Sequence, residues 1–205
     1  MAHAKLEEND DDTDEALMER VGQGDRQAFA VLFERHHASL VRYAHRFMGE
    51  PARAEEAAQE IFIKLYQSSG QYRVRARFKT FLFRVATNHC LNEARKARRW
   101  WWRSSAASGQ QSSEAESSVE SLADARLPGA DRPDDLVEGR ELEQVVNRAL
   151  LKMSARERAA FSMCRFEGLS YREIAEAMGT SESAVKSLIH RATAAVTEGI
   201  ERSRV

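Results

Sequence analysis

The stretch Leu169 to Ala195, LSYREIAEAMGTSESAVKSLIHRATAA, has little choice in how it folds. Ser170 is placed to cap a helix, and Glu173 follows at the spacing of a capping box. Ile174, Ala175 and Met178 make one apolar stripe at helical period. Gly179 enters the left-handed conformation at small steric cost and so ends the helix. Ser181 can cap a second one. That second helix puts Ala184, Val185, Leu188 and Ala192 on one face and Ser183, Lys186, Ser187, His190 and Arg191 on the other. The pattern predicts a helix-turn-helix, whose second helix would enter a DNA major groove with its N-terminal residues toward base edges. An ordinary helical hairpin with a solvated outer face would share the caps and the stripe. Against it, no acid stands between Ser183 and Ala195, and the small residues Gly179 and Ala184 fall where two helices must approach closely.

With 205 residues the chain can form one large domain or two small ones, and its 42% of hydrophobic residues can supply a core. Three prolines and ten glycines leave long uninterrupted stretches, which points to an all-α protein. No apolar run approaches the roughly 20 residues of a membrane span. The acidic N-terminus, MAHAKLEENDDDTDE, has no apolar region of the signal-peptide kind. Cys90 and Cys164 are isolated, without metal-ligand spacing or a disulfide framework. They read as buried thiols of a cytoplasmic protein. The pairs His36-His37 and His89-Cys90 diverge on a helix, so no metal site is expected. Without a Gly-rich phosphate loop or a nucleophile–base spacing, neither catalysis nor a cofactor is expected.

Residues 1–13 are polar and acidic and read as disordered. Helical period then runs from Asp14 to Phe47, interrupted at Gly22 to Asp25 and ended by Gly49-Glu50-Pro51. Pro51 suits the first position of a new helix. That helix, Ala52 to Tyr66, has Ala57, Ala58, Ile61, Phe62 and Leu65 inside and Glu55, Glu56, Gln59, Glu60 and Lys64 outside. On pattern alone, a solvated face is the better reading of these polar residues than an acidic docking surface. After a loop over 67–76, a helix is expected from Phe78 to Arg99. Arg84, Asn88, Asn92, Arg95 and Arg99 share one outer stripe of it. Between Arg73 and Arg103 there are ten Lys or Arg and a single acid, Glu93. Such a window is an electrostatic footprint for a phosphate backbone. Tyr72, Phe78, Phe81 and Phe83 suit stacking of unpaired bases, although core packing competes for the same rings. Trp100, Trp101 and Trp102 point three ways on a helix, so at least one should stay exposed.

Residues 104–135 change character, being rich in Ser, Ala, Gly and acid, and read as a flexible acidic linker. The second domain, 136–205, shows helical period from Glu141 to Met153. A capping box (Ser154, Glu157) and a helix to Glu167 follow, and then the helix-turn-helix. The expected architecture is two small helical domains, 14–103 and 136–205, with the C-terminal one a four-helix unit.

Both halves together resemble the bacterial RNA polymerase sigma factors of the extracytoplasmic-function group. GDRQAFAVLFERH is similar to the family's opening helix, and EEAAQEIFIKLY to the helix that docks on the polymerase clamp. FKTFLFRVATNHCLNEARKARR is similar to the helix that opens and reads the −10 element, and LSYREIAEAMGTSESAVKSLIHRA to the −35 reader. The resemblance implies that Glu56, Gln59, Glu60 and Phe62 contact the β′ clamp coiled coil, which reverses the solvated reading. It implies the β flap of the polymerase as a second partner surface. Asn88 falls at the flipped −10 base and Asn92 beside it, and Tyr72 to Lys79, with Arg73, Arg75 and Arg77, falls where a base-capture pocket is expected. Lys186, Ser187 and Arg191 match −35 contacts. An anti-sigma partner is implied as well. Phe81-Leu82 departs from the Trp-Leu common in the family. The rival reading is a repressor or activator that binds an operator as a dimer without polymerase; it would leave the basic helix of the first half without a purpose.

Overall fold

The computed structural model describes the backbone of residues 13–73, 77–108 and 135–203, with side chains over 13–73, 77–103 and 144–203. Among the described residues every extended element is helical: α1 (Asp14–Gly22), α2 (Arg26–Met48), α3 (Pro51–Gln67), α4 (Phe78–Ser108), α5 (Asp135–Lys152), α6 (Ala155–Arg165), α7 (Tyr171–Met178) and α8 (Glu182–Ser203). A single 3₁₀ turn, Ser69–Gln71, follows α3.

Local chemistry places most of the boundaries. The Asp25 carboxylate accepts from the Gln27 and Ala28 amides at 2.9 and 3.1 Å and opens α2. Gly49, at φ +72°, closes it and donates its amide to the His45 carbonyl. Pro51 takes the first position of α3. Both expected capping boxes form, Ser154 with Glu157 before α6 and Ser170 with Glu173 before α7. Gly179, at φ +59°, turns the chain from α7 into α8, where Ser181 Oγ accepts from the Ala184 amide at 3.2 Å.

Two boundaries differ from expectation. The helix expected to stop at Arg99 continues to Ser108, so the tryptophan triplet is helical and 104–108 belongs to α4 rather than to a linker. Helix α5 begins at Asp135 and not at Glu141. The remainder of the expected linker, 109–134, and the N-terminal 1–12 lie outside the described residues.

The first half packs α1 to α4 around Leu32, Leu40, Tyr43, Ile61, Leu65, Phe78, Leu82 and Phe83, each fully buried. The second half is the expected four-helix unit, α5 to α8. The two halves also share a core. One continuous cluster of buried side chains runs from Leu17 through Leu82 and Met163 to Ile189. At the junction Thr87 Oγ1 lies 2.8 Å from the Tyr43 hydroxyl and donates to Met163 Sδ at 3.7 Å. Burying apolar side chains across the junction favours this arrangement of the two domains.

The α7 capping box has a testable pH signature. The Ser170 hydroxyl and amide bond the Glu173 carboxylate at 2.6 and 2.8 Å, and these bonds hold it below the ordinary glutamate value of 4.5. Its stabilisation is therefore complete above that value and is lost as pH falls through the lower folded-state value. Glu173→Ala is expected to cost about 1 kcal/mol in urea denaturation at neutral pH. The difference from the parent should shrink in acid; a gap that persists at pH 2 would defeat the account.

Candidate nucleic-acid and polymerase interfaces

The outer stripe of α4 is intact: Arg84, Asn88, Asn92, Arg95 and Arg99 are all exposed along one face of an unbroken helix. The rings near it are not free to stack. Tyr72, Phe78, Phe81 and Phe83 are all buried, with Tyr72 against Phe81 at 5.2 Å and Phe83 edge-on to Tyr43 at 5.1 Å. Core packing took them, because this half needs large apolar groups to anchor α4. Arg84 lies over the Phe81 ring at 4.9 Å, so its guanidinium is oriented by that ring. Arg73 is exposed and donates to the Gly70 and Tyr72 carbonyls at 3.1 and 3.0 Å. Arg75 lies outside the described residues.

Tyr72, Arg73, Thr80, Phe81 and Arg84 line an open pocket of about 180 Å³ together with Gln71 and, from the other half, Glu176. Glu176 is not alone in crossing over. Arg77 Nη1 is 3.7 Å from Glu173 Oε1. Lys79 Nζ donates to the Glu167 backbone carbonyl at 2.5 Å and stands 4.0 Å from its carboxylate. Helix α7 and the turn before it thus present three acids to the basic residues of the loop and of α4. Negative charge stands directly against the basic end of this surface.

Glu167 is the pivot of this contact, and the sequence reading passed over it. Its carboxylate is almost fully buried, accepts from Ser39 Oγ at 2.6 Å and lies 3.8 Å from Arg46 Nη1. The Arg46 guanidinium also covers the Phe166 ring at 3.7 Å. One signal was available. An acid just past a helix C-terminus opposes the helix dipole, so a glutamate placed there calls for a tertiary partner.

On α8 the expected outer residues Ser183, Lys186, Ser187, His190 and Arg191 are all exposed, while Val185, Leu188 and Ala192 are buried. Arg191 is already engaged: its Nε donates to Glu157 Oε1 at 2.6 Å. Burial pushes the Glu157 carboxyl up, but the bonds from Arg191 and Ser154 outweigh it and hold the group below its ordinary value. Arg191 is thereby set at the edge of the face while Lys186 and His190 project freely from it.

On α3, Glu56, Gln59 and Glu60 are exposed, but Phe62 is not. It is 2% exposed and packs on Phe33 at 4.6 Å and Phe29 at 6.1 Å. The next residue, Ile63, is 56% exposed and stands one turn from Gln59 and Glu60. The apolar member of this face is therefore Ile63. Phe62 belongs to the cluster that holds α3 on α2, as the helical period of its neighbours already indicated.

The profile of sigma-70 region 2 matches residues 32–100, and that of sigma-70 region 4 matches residues 143–196. The chain is 30% identical to the RNA polymerase sigma-H factor of Pseudomonas aeruginosa over 189 residues, covering 92% of this chain and 94% of that one. The chain belongs to the extracytoplasmic-function RNA polymerase sigma factors. The sigma-E factor of Escherichia coli is also 30% identical, over 92% of this chain and 95% of the relative. Two solved structures share the fold. CnrH in complex with the cytosolic domain of CnrY aligns with a TM-score of 0.64 and 20% identity over 93% of this chain and 99% of that one. RpoE in complex with the anti-sigma factor NepR from Bartonella quintana aligns with 0.64 and 21% over 84% and 96%. The sigma factor thus binds RNA polymerase and directs promoter-specific initiation, which rules out the independent operator-binding regulator. Sigma factors are initiation factors rather than enzymes. No helix among the described residues is long and apolar enough to cross a membrane.

Proposed function

We propose that this sigma factor works through four surfaces, and that its two halves correspond to domains 14–103 and 136–205. Helix α3 docks through Glu56, Gln59, Glu60 and Ile63 on the β′ clamp coiled coil, with the C-terminal unit on the β flap. The stripe Arg84, Asn88, Asn92, Arg95 and Arg99, with Arg73, Arg77 and Lys79 beside it, takes the opened −10 strand. Ser183, Lys186, Ser187, His190 and Arg191 read the −35 duplex. The observation that carries the reading is the α4 stripe, in which cations and amides lie along one exposed helix face.

Cations neutralise phosphates, and the asparagine amides offer donors and acceptors to a base removed from the stack. Unstacking a base costs a few kcal/mol, and contacts along the strand offset it. In the packed arrangement the acids of α7 and of the turn before it compete for Arg77, Lys79 and the pocket beside Arg84, so core polymerase has to part the two halves before promoter DNA can occupy that end of α4, while its far end stays open to a strand. An anti-sigma partner that favours the packed arrangement would keep the factor off polymerase until a stress or other signal releases it, in the cytoplasm.

Pull-down with bacterial core RNA polymerase tests the docking surface. The parent is expected to bind. Gln59→Ala, Glu60→Ala, Ile63→Ala together should lower binding by at least about tenfold, because an exposed apolar anchor ringed by polar groups has the make-up of a hot spot. Phe62→Ala should instead lower thermal stability. Retained binding by the triple variant would move the docking site elsewhere.

A further inference from the structure

The triplet Trp100 to Trp102 has no part in the function proposed above. It lies within α4, and Trp100 and Trp102 are 66% and 65% exposed, Trp101 37%. Large exposed aromatic area of this kind marks an interaction surface. Its surroundings define the partner's charge. The run RKARRWWWR, residues 95–103, has five cations and no acid. Arg95, Arg98, Arg99 and Arg103 are exposed, while Lys96 bonds Glu93 at 2.6 Å. Such surroundings suit a polyanion.

Helical register narrows the choice further. Steps of four, three, four and three residues lead from Asn88 through Asn92, Arg95 and Arg99 to Trp102, so Trp102 prolongs the proposed DNA-binding stripe. Trp100 and Trp101 turn off that line, and Trp101 meets Trp102 edge-on with ring centroids 5.6 Å apart, which orients the Trp102 ring. A helix lying in a membrane surface needs a sustained apolar face. Here Ala94 and Ala97 precede the triplet and Arg103, Ser104 and Ser105 follow it, so no such face continues. A base or sugar of a nucleic acid strand fits a ring framed by guanidinium groups.

We propose that Trp102, framed by Arg98, Arg99 and Arg103, is a further DNA-binding post on α4, stacking on the strand and holding its phosphates beyond the stretch read by Asn88 and Asn92. This rests on the reading of α4 as the −10 surface. At about 1.5 Å of rise per residue, Trp102 stands about 21 Å from Asn88. At about 3.4 Å per nucleotide, the new contact falls roughly six nucleotides from the base held at Asn88.

The chain's three tryptophans are all in the triplet, so the full chain with Trp100→Phe and Trp101→Phe reports from Trp102 alone. We would titrate it with a twenty-nucleotide oligothymidylate, a duplex of equal length and phosphatidylglycerol vesicles, following emission and, for labelled DNA, anisotropy. Emission is expected to fall by more than a third on adding single strand at low salt, and Arg98→Glu with Arg103→Glu should weaken that response about tenfold. Quenching by single strand alone assigns stacking on unpaired bases, and quenching by both DNAs assigns contact with the backbone; either supports the proposal. Unchanged emission at saturating DNA overturns it, as does a blue shift with vesicles and none with DNA. Failure of the underlying α4 reading looks different: Asn88→Ala with Asn92→Ala would then leave promoter opening by the holoenzyme unchanged, whatever Trp102 does.

Discussion

Glu167→Lys is expected to part the two halves of the sigma factor. The substitution puts an ammonium where the carboxylate now faces Arg46 Nη1 at 3.8 Å and Lys79 Nζ at 4.0 Å, in a site that is almost fully buried. Three cations would then crowd together, those at 46 and 167 buried and Lys79 partly exposed. It also removes the acceptor for Ser39 Oγ. Breaking a buried pair in this way costs about 3 kcal/mol or more. The chain can avoid most of that cost by opening, because each half has helices and caps of its own. Small-angle scattering should show a larger radius of gyration with far-UV circular dichroism unchanged. Withdrawal of Glu173 and Glu176 from Arg77 and the pocket should raise affinity for single-stranded −10 DNA by at least about tenfold, or about 1.4 kcal/mol. An unchanged radius with unchanged helix content would sink the idea that Glu167 latches the halves.

Arg158→Ala should produce the largest loss of stability. Arg158 is 7% exposed, and burial pushes its guanidinium down to about 10. Its Nε donates to the Leu150 carbonyl at 2.7 Å, and its Nη2 to those of Leu151 and Met153 at 2.8 and 3.3 Å. Leu150 and Leu151 lie in the last turn of α5 and Met153 just past it; the Leu150 carbonyl also accepts from the Met153 amide at 3.2 Å, and Arg158 caps this end from the next helix. Nη1 reaches across to the Phe47 carbonyl at 3.4 Å, and the guanidinium lies over the Phe47 ring. Alanine removes all four of these bonds at once, at an expected cost of about 3 kcal/mol. Arg158→Lys should recover less than half of that, since an ammonium lacks the planar fork. Urea denaturation decides it: a loss under about 1 kcal/mol would mean that water or neighbouring groups replace those bonds.

Arg158 and Glu167 show where reading along the chain stops. Arg158 sits in RERAAFSM, where an arginine among alanines is unremarkable, and its partners include a carbonyl in the other half of the chain. Phe62 and Ile63 make the same point over a smaller distance. Both are large and apolar, they are adjacent, and the helical period already put Phe62 inside. The family resemblance pulled it outward, and the geometry returned it to the core with Ile63 on the surface.

The helices, their caps, the turn at Gly179 and the exposed faces of α4 and α8 follow from the sequence by itself. Each depends on residues three or four apart, and a side chain's direction on a helix is set by its own position. The family, too, was written in local motifs. Tertiary structure alone decided that the two halves share a core, that α7 lays its acids on the basic surface, and that a glutamate past the end of α6 is buried against Ser39, Arg46 and Lys79. Those contacts join residues about a hundred positions apart, and no period along the chain encodes which face of one domain meets which face of the other. That choice comes from summed burial and charge complementarity, which exist only once both surfaces have formed.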